Sequence, residues 1–260
     1  MSTSQVDDRV EDAPSYLTAT EAELRRDLAA CYRLAALFGW NDLVANHISA
    51  RLPRTPESFL LNRFGDLFEE VTASSLIEVE LAADPSAGHF GNVNVAGFII
   101  HSAVHQMRPD ATCIIHLHSK DAVAVSMIED GLLPLNQAAM MIASDIAYHD
   151  YEGPAFDLGE RQRLQADLGS KNIMMLRNHG TLVLGRSIAE AFQRCYFLES
   201  ACTVQVKAMG MGRALTVPSG VADARIEGQA QTNFIRHYAE QKVWPAMIRR
   251  LNAVNPGYEL

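Results

Sequence analysis

The sequence predicts a single α/β domain in which one sheet, antiparallel in its early part, is covered by helices. Three observations predict it. Segments with helical spacing alternate with short apolar runs of strand character. Three such runs follow one another early, which favours antiparallel pairing. Composition does not shift midway along the 260 residues, a length suited to one large domain.

Residues 1–16 are polar and acidic, with no apolar stretch of signal-peptide type, and read as a flexible tail before a domain at 17–260. Thr20-Glu21-Ala22-Glu23 is a capping-box pattern. Leu24, Leu28, Cys31, Leu34 and Phe38 then recur at helical spacing until Gly39 stops the run. His47 to Leu52 and Ser58 to Asn62 read as strands separated by Pro53 and Pro56, and Val71 to Ser75 and Ile77 to Val79 add a turn and a third strand. Gly88 to Asn92 reads as a loop small enough to let backbone approach a ligand.

Ala96 to Met107 reads as a helix stopped by Arg108-Pro109, and Cys113 to His118 as a strand. Ser119 stands where it can cap a helix from Lys120 to Met127, and Asn136 to Ile142 is a further short helix. Tyr148 to Gly153 reads as a polar, aromatic connection. A surface helix from Glu160 to Leu168 ends at Gly169, followed by strands at Ile173 to Leu176 and Thr181 to Gly185. Ser187-Ile188-Ala189-Glu190 is a second capping box, opening a helix to about Met209. After a stretch marked by Gly210, Gly212, Pro218 and Gly220, a C-terminal helical extension runs from about Gln229 to Leu251.

Apolar residues at 48% and charged residues at 20% suit a globular protein with a substantial core. The net charge of −9, with no basic block, argues against a nucleic-acid or anionic-membrane partner. No run of 18 apolar residues suggests a membrane span. Cys31, Cys113, Cys195 and Cys202 lie in apolar or helical stretches without a C-x-x-C pair, which reads as reduced core thiols in a cytoplasmic protein.

The chemistry concentrates in Ile114-Ile115-His116-Leu117-His118-Ser119-Lys120. Side chains two apart on a strand face the same side, so His116 and His118 address one pocket. A third histidine, His179, follows the strand Ile173 to Leu176 in the polar turn Arg177-Asn178-His179-Gly180. Three neutral imidazoles make a site for a borderline divalent metal with positions left open for water or substrate. His101 and His105 lie four apart on one helix face, but without the Glu of a zinc-protease motif they read as packing or support for the site.

These residues resemble the class II aldolase/adducin family. The resemblance runs from about Ala19 to Met209 and rests on Ile114 to His118, Leu176 to Gly180, His47 to Arg51 and Glu70 to Leu76. Gly97 to Ala103, Arg108-Pro109-Asp110 and Tyr148 to Tyr151 look closest to adducin head domains and their bacterial relatives. The family implies a three-layer α/β/α fold around a mostly antiparallel sheet, commonly as a homotetramer with sites between subunits. In its sugar-phosphate aldolases a divalent metal binds three histidines that correspond to His116, His118 and His179. One metal per chain is implied, zinc first, with Mn or Fe(II) as alternatives.

The departures narrow the expectation. The aldolase glutamate falls at Gly97, a replacement adducins share, and the phosphate-cradle positions read Asn46-His47, Phe64-Gly65 and Val95-Ala96. The expected activity is therefore a divalent-metal lyase that cleaves a carbon–carbon bond in a non-phosphorylated hydroxy, oxo or aromatic acid, by decarboxylation or retro-aldol chemistry. Lys120 and Tyr238 are the candidate catalytic residues, Tyr238 as an acid, and Arg63, Asn46 and His47 the candidate substrate-binding residues. Related members suggest two alternatives, a non-haem Fe(II) oxygenase and a non-catalytic adducin-like scaffold.

Overall fold

The computed structural model describes residues 15–55, 57–85, 91–153, 159–219 and 234–260. Its strands are β1 (His47–Arg51), β2 (Ser58–Leu61), β3 (Ile77–Glu80), β4 (Cys113–Leu117), β5 (Ile146–His149), β6 (Ile173–Leu176) and β7 (Gly180–Gly185). They form one sheet in the order β3-β2-β1-β4-β7-β6-β5. Every neighbouring pair is antiparallel except β5 and β6, which run parallel at one edge.

The helices are α1 (Glu21–Leu37), α2 (Val95–Met107), α3 (Lys120–Ser126), α4 (Gln137–Ile142), α5 (Glu160–Leu168) and α6 (Ile188–Gly210). After the segment at 220–233, α7 (Phe234–Tyr238) continues through a π turn, Ala239–Val243, into α8 (Trp244–Val254). Alternation along β4 divides the core. Cys113, Ile115 and Leu117 pack with Leu28 and Cys31 of α1 and Phe192 and Leu198 of α6. Ile114, with Leu182 and Leu184 of β7, packs against Ile100 and Val104 of α2 and Leu164 and Leu168 of α5. Helices on both faces of a mostly antiparallel sheet make the three-layer α/β/α fold.

The capping box at α1 is formed: Glu23 N–H donates to Thr20 Oγ1 at 3.2 Å, and Thr20 N–H to Glu23 Oε2 at 2.8 Å. At α6 the Ser187 hydroxyl caps Glu190, but the Glu190 carboxylate takes the N–H of Arg186, one residue before the cap. Two readings need correcting. Tyr148 and His149 belong to strand β5, because pairing with buried β6 outweighs the polar look of the segment. Ser119 precedes α3 without capping it; its hydroxyl donates instead to Glu199 of α6.

Residues 1–14, most of the Gly88 to Asn92 loop and the start of the C-terminal helical segment lie outside the described residues. All four cysteines are free and buried. Among the described residues no helix is long and apolar enough to cross a membrane.

Candidate metal centre

His116 sits near the end of β4, in register with His47 on β1 and Leu182 on β7, and His118 follows just beyond the strand. His179 arrives from the connection between β6 and β7. That turn is only Arg177, Asn178 and His179, with Asn178 at φ +59°, a left-handed conformation that Asn tolerates better than most side chains. Gly180 then lets the hairpin close on β4: a Cβ there would lie 2.3 Å from the Leu117 carbonyl oxygen and 2.8 Å from His118 Cδ2. Small side-chain volume at 180 is thus a condition for bringing His179 to His118.

The three imidazoles meet through their Nε2 atoms. His118 Nε2 lies 2.9 Å from His116 Nε2 and 3.0 Å from His179 Nε2. Their outer nitrogens fix the tautomers. His116 Nδ1 is 2.9 Å from the Thr181 carbonyl oxygen, which only accepts, so this nitrogen carries the proton. His118 Nδ1 stands 3.3 Å from Asp42 Oδ2 and is likewise the donor. In the neutral rings both Nε2 atoms then present lone pairs to each other at 2.9 Å. Such an arrangement is repulsive unless a cation lies between them, and outer hydrogen bonds of this kind are what orient metal-binding histidines. The donor set therefore fits a borderline divalent ion.

Burial keeps the rings neutral. It holds His116 well below the usual histidine range, with the neighbouring imidazoles adding to the effect, and holds His179 down to about 4. His118 is also lowered by burial, against the opposing pull of Asp42.

The triad lies in a cavity of about 580 Å³. Val44, Phe64, Val93, Val95, Ile100 and Tyr151 supply apolar wall, and the amino end of α2 borders it through Asn94 and Ala96. Among the described residues no Lys, Arg, Asp or Glu lines it. His47 does, with its ring stacked on His116 at 4.7 Å between centroids. The ring also fills the volume beside Gly97, where the expected carboxylate is missing.

Asn46 is buried and accepts the Asp42 N–H at 2.6 Å, which holds the loop that carries Asp42 to His118, so it supports the centre without lining the cavity. Arg63 and Lys120 are exposed and outside the lining. Tyr238 stands on α7, 43% exposed and stacked on Phe234, away from the cavity of its own chain.

Three features escaped the sequence reading. Asp42 lies in a short loop with no motif around it. Thr181 contributes through its backbone. The third, a buried chain from His47 through His101 and Ser49 to His105, did leave a signal: His47, Ser49 and Arg51 alternate on one face of β1, and His101 and His105 lie on one face of α2.

A family model described as the Class II Aldolase and Adducin N-terminal domain matches residues 26–206. An aldolase II superfamily protein from Pseudomonas syringae superposes with a TM-score of 0.83 at 42% identity, covering 94% of this chain and 97% of that one. The L-fuculose 1-phosphate aldolase of Glaciozyma antarctica gives 0.77 at 25% identity, covering 91% and 93%. Mouse alpha-adducin is 46% identical over 193 residues, 73% of this chain but 26% of that protein.

Proposed function

We propose, from the premise that this chain belongs to the class II aldolase and adducin family, that it is a divalent-metal lyase cleaving a carbon–carbon bond in a non-phosphorylated acid. The observation that carries the reading is the pair of facing lone pairs on His116 and His118, each fixed by an outer acceptor, with His179 completing the set. His116, His118 and His179 hold the ion, zinc first, and Asp42 and Thr181 keep the two inner rings aimed. A divalent ion bound there polarises substrate oxygens and stabilises the negative charge left when the bond breaks. The apolar walls take a hydrocarbon or aromatic portion and exclude water. The amino end of α2, at Val95 and Ala96, favours an anionic substrate oxygen.

The absence of any cationic side chain from the described lining supports a substrate without a phosphate. Of the remaining candidates, Arg63 and Lys120 would bind a substrate carboxylate only after reaching in from the surface. Tyr238 would serve a pocket from a neighbouring copy in a homotetramer.

The test is metal content per chain after purification without added metal and under low oxygen, followed by assay of hydroxy and aromatic acids for carbon–carbon cleavage. Near-stoichiometric zinc or manganese with turnover is the expected result. Iron with oxygen uptake would move the assignment to an oxygenase. No metal, even after adding it back, would leave an adducin-like scaffold, which the similarity to alpha-adducin favours.

A further inference from the structure

We propose that His47 selects the substrate at this centre: its Nε2 accepts a hydrogen bond from a substrate hydroxyl, so the pocket prefers 2-hydroxy acids with an apolar side chain to their 2-oxo counterparts. This rests on the metal reading above and names the substrate class of the same site.

His47 is 2% exposed, yet it lines the cavity with the triad, and its Nε2 has no partner among the described residues. Its other nitrogen is committed. His47 Nδ1 lies 2.8 Å from His101 Nε2, His101 Nδ1 lies 2.5 Å from Ser49 Oγ, and Ser49 Oγ lies 2.8 Å from His105 Nε2. Neither His101, Ser49 nor His105 is more than 1% exposed. Ser49 brings a single proton and the neutral imidazoles one each, so two states use the Ser49 proton within the chain and satisfy every link. Either every donor points away from the cavity and His47 Nε2 is a lone pair, or every donor points toward it and Nε2 carries the proton.

Helix α2 favours one of them. His47 packs against Gly97 in its first turn, and His105 stands in its last. The hydrogen-bonded chain therefore lies alongside the helix from one end to the other. A helix carries partial positive charge at its amino end and partial negative charge at its carboxyl end. The favoured state puts the lone-pair end at His47 and the N–H end at His105. His105 Nδ1 is buried without a hydrogen-bond partner, and the charge beside His105 is Arg51, whose guanidinium donates to the His105 carbonyl and opposes the helix field at this end. A cation held by the triad pulls the same way as the helix, and no group has to change its charge.

An accepting nitrogen beside a metal rewards a ligand that brings a hydroxyl. A keto oxygen at the same position would face it lone pair to lone pair in a buried site. Phe64, Val93 and Tyr151 leave apolar wall for the side chain. Mandelate and benzoylformate, which share the phenyl and carboxylate groups and differ at C2 as hydroxyl against keto, are suitable probes.

The experiment has two arms. In the zinc-loaded protein, titration calorimetry with each acid should give a mandelate preference that falls about ten-fold in His47→Phe, a variant that keeps a ring in the space. Ser49→Ala, which leaves the triad intact, should lower it in the same direction. An unchanged ratio in His47→Phe, or no binding of either acid to metal-loaded protein, overturns the inference. In the metal-free protein, ¹⁵N-histidine NMR should place the His47 proton on Nδ1, with Ser49→Ala shifting that tautomer. A proton on Nε2 overturns the inference whatever the metal does. Failure of the metal reading shows separately, as no zinc uptake, while this second arm still reports.

Discussion

The imidazole of His47 stands where a side chain at position 97 would have to go: a Cβ on Gly97 would lie 2.7 Å from His47 Cδ2 and 2.9 Å from its Nε2. The two positions are therefore alternatives within one volume. Gly97→Ala should destabilise the protein by about 1–3 kcal/mol, because a ring held by His101 and stacked on His116 must move. In Gly97→Ala/His47→Ala the clash is gone, so the double variant should be more stable than the sum of the single losses by about 1 kcal/mol or more. Urea denaturation of the four proteins measures this, and strict additivity would mean that the two residues do not compete.

Asp42 is the acceptor that orients His118, and Asn46 holds Asp42 in place. Asp42→Asn keeps the shape but weakens the acceptor, so zinc affinity should drop about 10- to 100-fold with little change in fold. His118→Ala removes a ligand and should lose more. Competition with a chromophoric chelator, alongside circular dichroism, separates the two effects. Equal affinity in Asp42→Asn would show that His118 is oriented by packing alone.

What the sequence disclosed and what it hid divide along a physical line. The H-x-H strand and the Asn178-His179-Gly180 turn were legible because period-two alternation and left-handed turn residues are local properties of the chain. So was the helix-and-strand order, apart from β5, whose pairing with β6 is a tertiary fact. Asp42, Thr181 and Glu199 were not legible. Asp42 acts across 76 positions of sequence and Glu199 across 80, while Thr181 acts through a carbonyl that any residue carries. The occupant of the Gly97 space was hidden too, since Gly97 lies on helix α2 and His47 comes from strand β1.

The histidine cluster makes metal-free protein acid-sensitive. Burial holds His47, His101, His105 and His116 well below the ordinary value of 6.5, and His179 near 4. Groups lowered in the folded state take up more protons when unfolded, so their contribution is in place above about 6.5 and is lost as pH falls from there through about 4. Urea midpoints of metal-free protein should be flat in these groups above pH 7 and decline below 6.5. Zinc should oppose the decline, since protons and metal compete for the same nitrogens. A midpoint unchanged from pH 7 to 5 in a Glu199→Gln background, where the buried Glu199 carboxyl is removed, would contradict the buried-neutral assignment.

Glu199 works in the opposite direction. It is 4% exposed, takes the Ser119 hydroxyl on one oxygen and leaves the other, Oε1, without a partner. Burial, with Asp121 adding to it against the Ser119 hydrogen bond, pushes this carboxyl up to about 7. A group raised in the folded state contributes stability that is complete below its unfolded value near 4.5 and is lost as pH rises through about 7. From a shift of that size the loss is of the order of 3 kcal/mol by pH 8. Glu199→Gln cannot ionise, so its stability should rise relative to wild type across this interval. At pH 5 the amide's extra N–H beside the unpartnered site should leave the variant no more stable than wild type. The difference between the two stability curves, and not either curve alone, isolates this group from the histidines, which lose stability toward acid over the same range. Parallel curves from pH 5 to 8 would mean that Glu199 is ionised in the folded protein, and the hydroxyl of Ser119 would then be stabilising a buried anion next to His118.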